Sequence, residues 1–165
     1  MFSTRVCQAL HDEHRATIGL AERIAGLLDR HRRGRPDSHD AATRRLLDEI
    51  PAAMGAGIAR HFDFEEAELF AHLAAVGDVA IGAHLTDEHQ VMRPLGLELA
   101  NLARSAAADG FDEAAWQSFR HVGTELCSRM LEHVQKEEMV LLPLLEENLD
   151  SETDTRLYDA YAGID

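Results

Sequence analysis

His61-Phe62-Asp63-Phe64-Glu65-Glu66 and His133-Val134-Gln135-Lys136-Glu137-Glu138 decide how this chain is read. Each run sets a histidine four residues before the first glutamate of a pair. On a helix that spacing puts the imidazole and the carboxylate on one face, one turn apart. Apolar residues extend both faces in steps of three and four. Met54 and Ile58 lead to His61, Glu65, Leu69 and His72, while Leu126 and Met130 lead to His133, Glu137, Val140 and Leu144. Such a stripe is the core-facing side of an amphipathic helix. A second pair of matched runs precedes these two in the same order, Leu10-His11-Asp12-Glu13-His14 and Leu85-Thr86-Asp87-Glu88-His89. Their stripes carry His14 between Leu10 and Ile18, and His89 between Leu85 and Met92. The chain therefore reads as a duplicated helical hairpin, each half bringing one L-x-D-E-H and one H-x-x-x-E-E.

Working outward, glycine marks three breaks, at Gly34-Arg35-Pro36-Asp37-Ser38, Gly77-Asp78 and Asp109-Gly110-Phe111-Asp112. Between them lie long runs rich in Ala, Leu, Glu and Arg, good helix formers, with no strand-like alternation. The expectation is four helices over roughly 3–33, 38–76, 81–107 and 112–149, with Ser38 and Asp112 as N-caps. Ser151-Glu152-Thr153-Asp154 has capping-box spacing and predicts a short fifth helix through Tyr158. Pro51, Pro94 and Pro143 fall inside the patterns and predict kinks or local breaks. Short loops make sequential helices antiparallel neighbours. The fold class expected is all-α: an up-down-up-down four-helix bundle with a short C-terminal helix, one domain over 1–165.

Composition narrows the function. The 165 residues are 45% hydrophobic and 28% charged, an ordinary globular balance. A formal net charge of −14 opposes binding to phosphate backbones or anionic lipid, so neither nucleic acid nor membrane is an expected partner. No apolar run is long enough to span a bilayer, and Met1 to Leu10 lacks the layout of a signal peptide. Two cysteines, Cys7 and Cys127, form no metal-type pair and fit a reducing, cytoplasmic location. The Arg30-His31-Arg32-Arg33 run ends the first helix, where cations suit the helix dipole.

Ten histidines are the unusual number, and four of them interrupt apolar stripes. One H-x-x-x-E on a helix is weak evidence for a metal, since such pairs are common on solvated faces. Two copies joined by two further stripe histidines are much more specific. Burying two carboxylates and four imidazoles without a counter-charge would cost several kcal/mol per carboxylate, a cost that cations in the core remove. Axial bookkeeping agrees. At ~1.5 Å per residue, the run from His14 to its helix end and the return run to His61 match within ~6 Å. The second half behaves alike for His89 and His133. All four histidines are thus expected at one level, nearer the end of the bundle carrying Gly77.

This set of motifs resembles the hemerythrin-like (HHE cation-binding) family of di-iron four-helix bundles, over nearly the whole chain from about Leu10 to Pro143. The resemblance rests on H-F-x-F-E-E at 61–66, H-V-Q-K-E-E-x-x-L-L-P at 133–143 and D-E-H in helices one and three. It implies two iron ions bridged by Glu65, Glu137 and an oxo or hydroxo group. It further implies that His14 and His61 cap one iron, and His89 and His133 the other. Ligand type alone suits iron without excluding Mn or Zn. Ferritin-like bundles, which use E-x-x-H pairs, do not match.

One departure matters. Oxygen-carrying members of that family have a fifth histidine one turn before the third-helix ligand, and Leu85 stands there. His84 is about 140° round the helix from His89 and points elsewhere. His11, one turn before His14, is the alternative filler. An open position favours a site that reacts with O2, peroxide or NO over a pure O2 carrier. A carrier or sensor without turnover, the sensor needing a protein partner, and a role in iron-centre repair or stress response are the competing readings.

Other residues receive plainer expectations. His72 reads as a core or bundle-end histidine, and His31, His39, His84 and His121 as surface residues. Glu13, Glu66, Glu88 and Glu138 read as exposed helix charges, with hydrogen bonds to the ligand imidazoles as the alternative. Leu126 and Met130 are expected to form a dry wall beside the metals. Cys7 and Cys127 are expected on opposite sides of them, too far apart for a disulfide.

Overall fold

Apolar residues spaced by three and four can be buried only if helices share their stripes, and five helices do so here. A computed structural model describes residues 2–163. Helix α1 spans Arg5–Arg30. Helix α2 covers 41–75 and contains two wide, i to i+5 turns, Pro51–Gly57 and Glu65–Leu69. Helix α3 is Ala80–Asp109. Helix α4 covers 113–148 with a third wide turn at Glu137–Leu141. Helix α5 is Ser151–Ala162. No strand occurs among the described residues. The first four helices alternate in direction, with α1 on α4, α4 on α3 and α3 on α2, and α5 caps the bundle against α1. No helix is long and apolar enough to cross a membrane.

The three glycine breaks terminate helices as expected. Gly34, Gly77 and Gly110 have φ of 91°, 101° and 81°, a left-handed region that side chains rarely enter. Asp112 caps α4 by accepting from Ala115 N at 2.7 Å. Two caps differ from expectation. Asp40, not Ser38, caps α2 by accepting from the Ala42 and Thr43 amides, and Ser38 is buried instead. Asp150 caps α5 one residue ahead of the expected box, and that helix runs beyond Tyr158 to Ala162. Runs such as Asp37-Ser38-His39-Asp40 offer several side chains able to cap, so spacing alone leaves the start open by a residue or two.

The prolines also divide. Pro51 opens one wide turn and Pro143 follows another. Helix α3, by contrast, runs unbroken through Pro94. Pro94 and Gln90 both lie on the exposed face, where water can take the Gln90 carbonyl that proline leaves without a donor.

Two apolar clusters fill the bundle. One contains Leu20, Ile24, Met54, Phe62, Met92, Trp116, Met130 and Val134. The other, toward the Gly77 end, contains Cys7, Leu10, Leu69, Phe70, Leu85, Leu141 and, from α5, Leu157. On each of the first four helices the interrupting histidine lies between the two. His14 stands between Leu10 and Leu20, and His89 between Leu85 and Met92. His61 and Glu65 stand between Ile58 and Leu69, and His133 and Glu137 between Met130 and Leu141. The polar level is thus a layer sealed above and below by hydrocarbon. Cys7 and Cys127 belong to opposite clusters and are free thiols, each raised by burial to about 11.

Candidate metal centre

His14, Glu65, His89, His133 and Glu137 are almost wholly buried, and His61 is 9% exposed. Their inward atoms form two groups that share both carboxylates. His14, His61, Glu65 and Glu137 make one, and Glu65, His89, His133 and Glu137 the other, with all ligand-type atoms of a group within 4.8 Å of one another. Each glutamate reaches both groups. Glu65 Oε1 lies 3.3 Å from His61 Nε2, and its Oε2 lies 3.4 Å from His89 Nε2. Glu137 Oε2 lies 3.2 Å from His14 Nε2, and its Oε1 lies 2.9 Å from His133 Nε2. The wide turns begin at these two glutamates, in the same register in both halves of the chain. Wide turns of this kind are frequent at functional sites.

The back of each imidazole meets a carboxylate from the neighbouring helix. Glu13 of α1 sits 3.3 Å from His61 Nδ1 of α2. Glu66 of α2 accepts from His89 Nδ1 of α3 at 2.8 Å. Glu88 of α3 accepts from His133 Nδ1 of α4 at 2.8 Å. Glu138 of α4 accepts from His14 Nδ1 of α1 at 2.7 Å, which closes a ring around the bundle. This corrects the reading of the four glutamates as exposed helix charges. Each is oriented in turn from outside: Tyr161 donates to Glu13, Arg93 to Glu66, Lys136 to Glu88 and His11 to Glu138. His11 therefore serves Glu138 and does not fill the position left by Leu85, which is buried in the apolar cluster. His84 points away, 3.3 Å from Glu88. Phe62 stacks on His89 with ring centroids 3.7 Å apart and planes 7° from parallel, fixing that ring.

These contacts set the tautomers. A carboxylate can only accept, so the Nδ1 of His14, His89 and His133 carries the hydrogen, and the Nε2 of each is left with its lone pair facing inward. His89 Nε2 and His133 Nε2 consequently oppose each other at 3.0 Å. Two neutral imidazoles so arranged repel, and a proton or a metal ion between them relieves the repulsion. Two nitrogens bound in adjacent positions to one ion at ~2.0–2.1 Å each stand on the order of 3 Å apart, which is the spacing seen. Both oxygens of Glu65, both of Glu137 and His14 Nε2 are buried without a hydrogen-bond partner, which is expensive unless a cation takes them. The residues therefore fit a metal centre.

The electrostatics agree. Burial pushes the His61 imidazole down, but the Glu65 carboxylate and Glu13 outweigh it and hold it well above its usual range. Burial raises Glu65, and His61 with His89 overrides this to hold it well below. His133 is raised, burial being outweighed by Glu137 and Glu88. Glu138 is lowered by the His14 hydrogen bond. The layer is thus short of positive charge at its centre, and histidine protonation fills the gap when nothing else does.

A family model, the hemerythrin HHE cation-binding domain, matches residues 6–145, and matches again over 83–162. The chain belongs to the hemerythrin HHE family. The second match starts at α3, where the internal repeat of this hemerythrin-like chain also begins. Neither curated proteins nor solved structures give a match. The buried His and Glu groups of the hemerythrin-like domain are able to hold metal cations.

The expected dry wall is only partly as read. Met130 lines a cavity beside the layer, whereas Leu126 is packed into the apolar cluster. His72 is half-buried near the bundle end, away from the groups described. The D-E-H and E-E doublets were the sequence signal for the ring of glutamates. Nothing in the sequence marked Phe62 as the ring that packs His89.

Proposed function

We propose that this chain is a non-haem di-iron protein that binds and reacts with O2, peroxide or NO. In this reading two iron ions share an oxo or hydroxo bridge, Glu65 and Glu137 link them, His14 and His61 hold one, and His89 and His133 hold the other. The observation that carries it is the split of each carboxylate, one oxygen toward each histidine pair. Iron in such a site supplies electrons to small oxidants and open positions for them. The chain's own residues do the rest. Glu66, Glu88 and Glu138 hold His89, His133 and His14 in one tautomer, which raises their basicity as ligands, and Glu13 faces His61. The two apolar clusters close the layer on both sides, so that molecules would reach it through the cavity.

Metal analysis of protein grown with iron, followed by visible spectra of the reduced protein in air, tests this. About two irons per chain and a spectral change on exposure to air are expected. Loss of added peroxide over many turnovers assigns an enzyme, and a lasting reversible change assigns a carrier or sensor. A chain that retains no more than one tightly held ion would overturn the reading.

A further inference from the structure

Beside the metal layer lies a cavity of about 400 Å³, bounded by α1, α2 and α4. Its walls include Leu20, Met54, Ile58, Phe62, Met130 and Val134. Its inner end is made by His14, His61, His133 and Glu137, and exposed Glu49 and Arg60 with half-buried Thr17 mark its mouth. An engineered cavity of ~150 Å³ holds benzene, and small-molecule sites run at ~300–1,000 Å³. A diatomic gas or peroxide uses little of this space.

The fold keeps the space open by two local features. The wide turn at Pro51–Gly57 bows α2 onto α3 rather than onto α1. Of its residues that line the gap, Ala52, Ala53 and Gly57 are small, and Met54 is the one large side chain. Gly57 has a local reason as well, since a Cβ there would press on the Ala52 carbonyl at 3.0 Å. Large side chains at 52 and 53 would have filled the gap at no cost to the helix. A void lined by hydrocarbon forfeits packing energy, so a stable chain that keeps one has a use for an apolar occupant.

We infer that the cavity binds a small organic molecule with a hydrocarbon body and one oxygen donor at its end, the body against Met54 and Met130 and the oxygen toward the metal layer. The inference rests on the metal reading above: a metal at the inner end would take the oxygen donor, while the walls along the body are mostly apolar. Charge at the mouth does not select an ionic body. Glu49 is taken up by Arg23 at 2.6 and 2.7 Å, and Arg60 faces Glu13 at 3.9 Å.

The test uses the full chain, loaded with zinc to keep nuclear magnetic resonance lines sharp and labelled with ¹³C at the methionine methyls. Phenol is the probe, and toluene is its counterpart without the oxygen. Met54 and Met130 report the cavity, and buried Met92 and exposed Met139 are controls. Phenol should shift Met54 and Met130 saturably, leave Met92 and Met139 in place and bind about tenfold more tightly than toluene. Ala53→Leu and Thr17→Phe, which fill the wall and the mouth, should each weaken phenol by about tenfold with metal content unchanged. Silent Met54 and Met130 signals in a chain that holds its metals overturn the cavity alone. Equal binding of phenol and toluene in a chain that holds its metals overturns the oxygen contact, and a chain that takes up no zinc overturns the proposal together with the metal reading.

Discussion

His89 Nε2 faces His133 Nε2 across 3.0 Å, and each ring is held there from behind by a carboxylate. Neither ring can swing away without breaking the bond to Glu66 or Glu88. The lone pairs are thus forced together, and the side chains of α3 and α4 are organised around a charge between them. A preformed site of this kind has its ordering cost met in folding, so binding energy appears as affinity.

The first prediction separates linking from terminal residues. Glu65→Ala and Glu137→Ala each remove one oxygen from both groups. Both metals should be lost, with content falling from about two ions per chain toward zero on dialysis. His14→Ala removes a nitrogen from one group only and should leave between one and two. Metal retention in both glutamate variants would show that the carboxylates do not share ions.

The outer glutamates should tune affinity without abolishing it. Glu138 holds His14 at 2.7 Å and His11 at 2.8 Å, so Glu138→Ala frees the His14 ring to turn and to change tautomer. Loss of such a partner costs ~10–100-fold in metal affinity. His11→Ala, acting one step further out, should cost less than Glu138→Ala. Competition against a chromophoric chelator measures both, and equal affinities for wild type and Glu138→Ala would remove the glutamate from the site.

Much of this was readable from residues alone because polar groups on an apolar stripe have few explanations. His14, His61, Glu65, His89, His133 and Glu137 stood out on that ground, and the structure brings all six together. The ring of glutamates was ambiguous for a physical reason. Glu66 and Glu138 sit one residue, about 100°, off their stripes. Whether such a residue meets solvent or the next helix depends on helix rotation and separation, which one helix's sequence does not contain. The wide turns at Glu65 and Glu137 are similar. No proline opens either one, and packing against neighbours makes the extra residue per turn favourable.

Gly96 offers a test of packing. Helix α3 lies so close to the wide turn of α2 that a Cβ at 96 would run into the Met54 carbonyl oxygen. A carbonyl in a helix cannot yield as a flexible side chain can. Gly96→Ala gains helix propensity on its own, ~1 kcal/mol, but should lose more to this collision. A net destabilisation of about 1–3 kcal/mol is expected, read as a fall in urea midpoint. A stabilised variant would show that α2 and α3 are not in backbone contact.

Acid should loosen the N-terminus by one identifiable group. Glu146 of α4 is pushed up by partial burial, but hydrogen bonds from Ser3 and Thr4 outweigh this and hold its carboxyl at about 2. Its folded pKa lies below the unfolded value of 4.5, so its contribution is complete above about pH 4.5 and is lost as pH falls toward 2. Glu146→Gln should therefore be less stable than wild type at neutral pH, with the difference shrinking between those limits. Protection of the Ser3 and Thr4 amides from exchange, taken relative to the intrinsic rate at each pH, should fall in wild type over the same window. A stability gap that persists unchanged at pH 2 would mean that Glu146 acts through packing alone.

Removing metal is the broadest test, because it asks what the buried layer contributes to the fold. Without a cation, Glu65 and Glu137 must rely on the four imidazoles for charge. The raised values of His61 and His133 indicate how the chain answers, by protonating histidine beside each carboxylate. That answer brings an N–H to one oxygen of each carboxylate, from His61 and His133, and leaves Glu65 Oε2, Glu137 Oε2 and His14 Nε2 buried without a donor or a cation. Stability should drop by several kcal/mol, and the melting temperature by about 10 °C or more for a domain of this length. Far-UV circular dichroism should stay mostly helical, since the two apolar clusters lie outside the layer and neither contains a ligand. The deficit should grow with rising pH through the folded values of those histidines. Their pKa is higher folded than unfolded, so their stabilising protons are fully held below the unfolded value and lost above the folded one. Scanning calorimetry of metal-free and metal-loaded protein from about pH 6 to 9 checks both statements. Equal melting temperatures would mean that the six side chains hold no ion in the folded protein.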